Sequence, residues 1–350
     1  MNRWLRGLGL LLTISLTIAL GYGGWWLLLD GRPPAQRADL ERLPVAVPPP
    51  APGYPTLNAL YVGYFLGWID AANINEEHPP PEGVRVEKDL VYDKVGERVL
   101  MLDLYSPSAT PAKPAPMLLF IHGGGWSGGD KQDYAIYCNK FAGLGYVVAS
   151  IGYRFSQEAL FPAALQDVNA AIVWLHGQAA SRGGDPGRMA VIGGSAGGHL
   201  SLMAAYAWDK AEFHRVAPQE IQPSPVRAVV DLYGPTDLTQ PIAQEASQVT
   251  RFLGKQYVDA PEIFALASPI THLDATDPPT LIIQGTLDNV VPPEQSDLLA
   301  ERLHSLGVSY WYSRIDGWPH TLDIVWDNFE HTSALIHAFL KAHGLGASQM

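Results

Sequence analysis

Cysteine is nearly absent: Cys138 is the only one in 350 residues. The chain therefore forms no internal disulfide and no cysteine-based metal site, and Cys138 reads as a structural thiol in a helix. Charge is also scarce and one-sided, with 23 Lys and Arg against 35 Asp and Glu and a formal net charge of −12. That balance repels nucleic acid phosphates and anionic lipid surfaces, so neither has electrostatic support as a partner. A neutral or weakly polar small molecule fits better. There is no internal repeat and no separate carbohydrate-binding module. What is abundant is apolar residue, 47% of the chain. This is enough to bury a large core, and the length suits one large domain with an appendage or two smaller domains.

No charge occurs between Gly7 and Leu29, a run that ends in Trp25-Trp26-Leu27-Leu28-Leu29. It is long enough to cross a bilayer as a helix, so residues 1–30 are expected to be a membrane anchor. A cleavable signal peptide, with Ala19-Leu20-Gly21 as its processing site, is the alternative; its apolar region is usually shorter. Arg3 and Arg6 before the run are nearly cancelled by Arg32, Arg37 and Arg42 after it, and the following domain is expected to be extracytoplasmic. Residues 31–83 begin with a proline-dense stretch, from Pro33 to Pro55, that reads as an extended spacer. Thr56 then caps an expected helix with apolar residues at Leu57, Leu60, Tyr61, Tyr64, Phe65 and Trp68. That face is expected to pack on the domain that follows. A flap over a pocket or an interfacial helix are the alternatives, and the lack of Lys and Arg weakens the second.

From Val84 the pattern changes. Val84–Tyr92 and Arg98–Tyr105, separated by a turn at Gly96, read as an antiparallel hairpin. Apolar runs then alternate with helical segments: Met117–Ile121, Tyr146–Ile151, Met189–Ile192, Val226–Leu232, Thr280–Gln284 and Ser309–Ile315. Alternation of this kind predicts a mostly parallel central sheet flanked by helices over residues 84–345, with functional loops beyond the carboxyl ends of the strands.

Two glycine-rich stretches follow such strands. Gly193-Gly194-Ser195-Ala196-Gly197 has the spacing that lets a serine stand at the tip of a strained strand-to-helix turn. His122-Gly123-Gly124-Gly125-Trp126 lacks the Lys-Ser or Lys-Thr of a phosphate loop, and instead suits backbone N–H groups aimed at a developing oxyanion. His122 itself reads as the residue that fixes this loop. A serine hydroxyl needs a base, and the base needs an acid. Of the 11 histidines, His320 alone follows the last strand in a turn-rich loop, Asp316-Gly317-Trp318-Pro319-His320. Asp288, after the penultimate strand, is the expected acid, with Asp237 the second choice and Asp323 close to His320 only in sequence. The chain order Ser195, Asp288, His320 is the one the elbow architecture uses.

Together these motifs resemble the α/β-hydrolases, specifically the hormone-sensitive-lipase-like and feruloyl/acetylxylan-esterase-like carboxylesterases. Gly128-Gly129-Asp130-Lys131, Tyr153-Arg154, Phe161 to Val168 and Gly184-Asp185-Pro186 extend the match across residues 84 to 343. The resemblance implies an α/β-hydrolase fold and hydrolysis of short or medium acyl esters. Ser195 is the implied nucleophile, His320 the general acid/base and Asp288 the group that orients it. The oxyanion hole falls to the N–H groups of Gly124, Gly125 and Ala196, and no metal or cofactor is required. Trp126, Tyr233 and Trp318 adjoin these loops and are expected to line the substrate pocket. Arg154 and Asp167 are expected to pair beneath the loops, and Pro241–His272 to form a partial cap. Arylformamidases share a similar glycine loop and elbow, which leaves an amide-hydrolysing reading open. A non-catalytic hydrolase domain displayed on a membrane is the reading from another class.

Overall fold

The computed structural model describes residues 41–66, 69, 78–109, 113–215 and 224–347. The expected anchor at 1–30 and Trp68 lie outside them. Among the described residues no helix is long and apolar enough to cross a membrane.

One eight-stranded sheet organises the chain: β1 (Val84–Val95), β2 (Arg98–Pro107), β3 (Ala115–Ile121), β4 (Val147–Ile151), β5 (Gly184–Gly194), β6 (Val226–Leu232), β7 (Thr280–Gly285) and β8 (Tyr310–Ile315). Their spatial order is β1-β2-β4-β3-β5-β6-β7-β8. β1 and β2 form the expected hairpin, β2 runs antiparallel to β4, and every later pairing is parallel. The longer helices are α1 (Leu57–Phe65), α2 (Ala135–Gly143), α3 (Ala163–Gln178), α4 (Ala196–Tyr206), then α5 (Pro241–Glu245), α6 (Ser247–Leu253), α7 (Pro261–Leu266), α8 (Pro293–Leu306) and α9 (Trp326–Ala342). This mixed α/β arrangement is consistent with the α/β-hydrolase fold.

The alternation of side chains along β3 shows why the central strands are mostly apolar. Met117, Leu119 and Ile121 enter the core shared with α3, α4 and α8, while Leu118 and Phe120 enter the core shared with α2 and α9. Both faces are covered, so polar positions are few, and Ser150, Asp231 and Gln284 among them are buried and hydrogen-bonded. The sheet's carboxyl edge is left for loops, and all the glycine-rich motifs emerge there.

The proline-dense stretch departs from the free spacer expected of it. Arg42 exchanges backbone hydrogen bonds with Tyr312 on β8, at 3.1 and 3.0 Å. Farther on, Pro48 carbonyl accepts from His331 Nδ1 (2.6 Å), Ala51 N–H donates to Asn328 Oδ1 (3.0 Å) and Tyr54 N–H to Gly317 carbonyl (2.9 Å). Proline blocks central-strand pairing but leaves carbonyls free to accept, so an extended proline-rich chain can lie along an edge strand and the adjoining helix. Residues 42–54 are a strap on the domain.

Helix α1 forms where its pattern predicts, with Thr56 Oγ1 accepting from Ala59 N–H at 3.2 Å. Its contact face differs from the aromatic stripe. Asn58, Leu60 and Gly63 are buried, whereas Tyr61, Tyr64 and Phe65 are exposed, Phe65 by 88%. Gly63 permits this rotation: a Cβ there would stand 2.7 Å from the Tyr54 ring. The face of Asn58, Leu60 and Gly63 therefore meets the domain.

Candidate active site

Ser195 follows β5 with φ 56° and ψ −121°, a left-handed conformation that side chains two residues away would obstruct. A Cβ on Gly193 would lie 2.3 Å from Gly197 carbonyl oxygen, and one on Gly197 would lie 2.0 Å from Ile121 carbonyl oxygen. Both glycines are steric requirements of the turn. Ser195 N–H is tied to Leu232 carbonyl on β6 at 2.8 Å, and its carbonyl accepts from His199 N–H to start α4. The hydroxyl thus stands at the N-terminal end of an 11-residue helix, where the backbone dipoles favour negative charge.

Three expected residues converge there. His320 Nε2 lies 2.9 Å from Ser195 Oγ, and His320 Nδ1 lies 2.7 Å from Asp288 Oδ2. Asp288 is itself fully held: Oδ1 accepts from Val290 and Val291 N–H, each at 2.9 Å, and Oδ2 also accepts from Gln284 Nε2 at 3.1 Å. These bonds fix the carboxylate toward His320, so Nδ1 carries the proton and Nε2 is free to accept one from Ser195. Asp237 is not in this chain. Its Oδ1 accepts from Thr239 N–H and Oγ1 at 2.9 and 2.6 Å, closing its own turn.

Gly124 and Gly125 face Ser195 from the loop after β3 and, with Ala196, line the same cavity. Among the described residues, the turn and loop hydrogen bonds do not use the N–H groups of these three. They are available to an oxyanion. His122, fully buried, donates from Nδ1 to Gly123 carbonyl at 2.8 Å and stacks on Tyr153 at 4.4 Å, while Tyr153 hydroxyl donates to His122 carbonyl at 3.0 Å. Burial pushes its pKa down, so it stays neutral and holds the loop. Beneath the loop Arg154 grips Asp167 through Nη2 at 2.8 Å, as expected, and Arg215 joins the same carboxylate.

The cavity has a volume of about 420 Å³. Its apolar lining includes Trp126, Ala243, Ala246 and Val249 along with Tyr233 and Ile324. Ala243, Ala246 and Val249 belong to the helical cap around α5 and α6, and Trp126 is backed by Phe252 stacked at 4.4 Å. Trp318 does not line this cavity, contrary to its expected role. Its indole Nε1 donates to Ala51 carbonyl on the proline strap at 2.9 Å and its ring meets Tyr54 edge-on. The strap captures the side chain on the far side of the loop from Ser195.

Sequence reasoning missed three residues beside this site. Gln284 sits inside β7, where a polar residue carries no motif. Tyr134 precedes α2 and lines the cavity. Asp323, expected to neighbour His320 only in sequence, is buried and accepts a hydrogen bond from Tyr233, whose ring meets the His320 imidazole edge-on at 4.7 Å.

Comparison with known proteins points the same way. The BD-FAE family model matches residues 102–303. Esterase LipC of Mycobacterium tuberculosis is 35% identical over 233 residues, covering 64% of this chain and 57% of the relative. The chain spans less than two thirds of the length of the curated relatives it matches, 57% for LipC and 56% for LipQ. Among solved structures, esterase 2 of Thermogutta terrifontis phosphorylated by paraoxon is 27% identical with a TM-score of 0.64, covering 79% of this chain and 100% of that one. A truncated carbohydrate esterase from gut microbiota is 26% identical with a TM-score of 0.63, covering 75% of this chain and 100% of that one.

Proposed function

This chain belongs to the BD-FAE family, and on that premise we propose that it is a serine carboxylesterase acting on short or medium acyl esters. The observation that carries the proposal is the continuous Ser195–His320–Asp288 hydrogen-bond chain, 2.9 and 2.7 Å, at the floor of an apolar cavity. Ser195 Oγ attacks the acyl carbon as His320 Nε2 takes its proton, and the carbonyl oxygen becomes an oxyanion facing the N–H groups of Gly124, Gly125 and Ala196. Collapse breaks the ester C–O bond. The leaving alkoxide takes the proton from His320, and the acyl group stays on Ser195. Water then attacks the acyl-enzyme, His320 accepts its proton and returns it to Ser195, and the acid departs. Asp288 stabilises the imidazolium in both halves without itself taking a proton. The apolar lining, Trp126 with Ala243, Ala246 and Val249, suits an acyl chain.

We further propose that residues 1–30 anchor the enzyme in a membrane with the catalytic domain extracytoplasmic, on the strength of the uncharged run from Gly7 to Leu29. Alkaline carbonate extraction and protease protection of the full chain test that anchor. The catalytic reading is tested with a p-nitrophenyl ester series from acetate to palmitate on wild type and Ser195→Ala. Turnover on acetate to hexanoate, abolished in the variant, is expected, with paraoxon blocking the wild type at Ser195. Hydrolysis of N-formylkynurenine with no serine-dependent ester turnover would instead establish the formamidase chemistry, and inertness toward both would leave a non-catalytic domain.

A further inference from the structure

Directly beneath the elbow lies a buried acid that the triad does not use. Asp323, in the short turn Leu322–Ile324, is 1% exposed. Tyr233 hydroxyl donates to its Oδ1. Tyr137 on α2 donates to its backbone carbonyl at 3.1 Å, tying the turn down from below. Tyr233 and Tyr134 both press against the residue that precedes the nucleophile: a Cβ on Gly194 would stand 2.9 Å from the Tyr233 hydroxyl and 2.2 Å from that of Tyr134. Tyr233 is held in a left-handed conformation, φ 46°, by a backbone bond from its N–H to Ile283 carbonyl at 2.9 Å. The other side of its ring is the surface on which His320 rests, 4.7 Å between centroids at 63°.

We propose that Asp323 is a positioning residue for the catalytic histidine, acting through the Tyr233 ring that it holds against the His320 imidazole. The proposal rests on the serine-esterase reading of Ser195, His320 and Asp288. A carboxylate is a better anchor here than an apolar group, because it fixes the Tyr233 hydroxyl in one direction and hence the ring plane. Asp323 thus meets the imidazole only through the Tyr233 ring. Burial is the largest influence on the Asp323 carboxyl and holds its pKa above the ordinary carboxylate value, against the opposing hydrogen bond from Tyr233. The groups facing Asp323 are Tyr233 after β6, Tyr134 and Tyr137 around α2, and His320 on its own loop; those facing His320 are Ser195, Asp288 and Tyr233.

The test compares wild type, Asp323→Asn and Tyr233→Phe, with kcat and KM for p-nitrophenyl acetate across pH and the His320 imidazole titrated by NMR. Asn keeps the acceptor for Tyr233 but removes the charge. Expected in Asp323→Asn are a drop in kcat of about 10-fold with KM nearly constant and a changed pH–rate profile and His320 imidazole NMR signal relative to wild type. Tyr233→Phe keeps the ring but frees it from Asp323, and is expected to lower kcat with KM nearly constant and to change the same His320 NMR signal. A folded Asp323→Asn with wild-type pH–rate profile, kcat and His320 NMR signal overturns the proposal; so does a loss of thermal stability with none of these changes, which marks a structural role alone. If Asp323→Asn does not fold, Tyr233→Phe decides by the same readouts. Absence of Ser195-dependent turnover in wild type refutes the esterase reading, and the His320 NMR signal still decides whether Asp323 acts on His320.

Discussion

His199 makes acid stability a quantitative test of the packing around the pocket. It lies on α4 four residues after Ser195 and is fully buried, accepting at Nδ1 from Trp126 Nε1 (3.2 Å) and donating from Nε2 to Ala267 carbonyl (2.7 Å). That pattern accommodates one neutral tautomer. Burial pushes its pKa down from 6.5 to about 4. The unfolded chain therefore binds a proton below pH 6.5 that the native state refuses until about pH 4. Stability contributed by neutral His199 is fully present above pH 6.5 and is lost as pH falls toward 4. The gap corresponds to roughly 3 kcal/mol, a large part of the 5–15 kcal/mol typical of a whole domain. Glutamine at this position can accept from Trp126 and donate to Ala267 without titrating. Urea unfolding of wild type and His199→Gln at intervals from pH 8 to pH 4 isolates the effect, because the other titrating groups cancel in the difference. The variant is expected to gain about 3 kcal/mol on wild type between pH 7 and pH 4. A difference constant to within about 0.5 kcal/mol across that range refutes the reasoning, since a histidine that titrates alike in both states contributes no slope. Fluorescence of Trp126, which lines the pocket and would lose its acceptor, should report the same transition.

Two further substitutions probe the site from different sides. Gln284→Leu removes one of the donors to Asp288 Oδ2 and leaves the Ser296 hydroxyl, which donates to Gln284 Oε1 at 2.9 Å, without its acceptor; a stability loss of about 1–3 kcal/mol and a fall in kcat/KM of roughly 10-fold or more are expected, measured by urea unfolding and ester hydrolysis. Ala246→Phe adds bulk to the cap lining, and in a chain-length series should cost hexanoate about 10-fold or more while leaving acetate within a few-fold. Equal losses on both esters would place the acyl chain elsewhere.

The parts of this molecule legible in its sequence are those dictated by local sterics or period. The elbow is one, because Gly193 and Gly197 are forced by contacts within five residues and with the neighbouring strand end. The strand runs are another, since burial on both faces leaves a mostly apolar signature. Asp288 and His320 were readable because their positions after β7 and β8 bring them to the edge where Ser195 emerges. What failed was direction. Trp318 is two residues from His320, yet its indole is bonded to Ala51, 267 residues away in the chain. Nothing near Trp318 announces that partner. Asp323 lies three residues beyond His320, and only the short turn at Leu322–Ile324 brings it beneath the imidazole instead of away from it. On α1 the aromatic stripe gave the right period and the wrong contact face, because the close approach of Gly63 to Tyr54 outweighed burial of the larger residues.

The misread strap and the misread tryptophan have a common physical cause, and it bears on how a loop residue can serve as a base. Catalytic geometry must hold to about half an ångström, which loops achieve only when braced. The His320 loop is braced on two sides. Gly317 N–H donates to Thr286 Oγ1 at 2.9 Å and Leu287 N–H donates to Trp318 carbonyl at 2.9 Å, which locks it to the loop that carries Asp288. From the opposite side Tyr54 N–H binds Gly317 carbonyl at 2.9 Å and Ala51 carbonyl takes the Trp318 indole. Gly317, at φ +69°, has no room for a side chain, since a Cβ would stand 2.4 Å from Tyr54 nitrogen. The strap's prolines keep its own backbone extended at low entropic cost, so its carbonyls arrive in place without ordering a flexible chain. A boundary drawn at residue 84 cuts away one of these two braces. In physical terms the unit that positions His320 begins at the strap, and the proline-rich composition that suggested a spacer is what makes the strap stiff enough to serve.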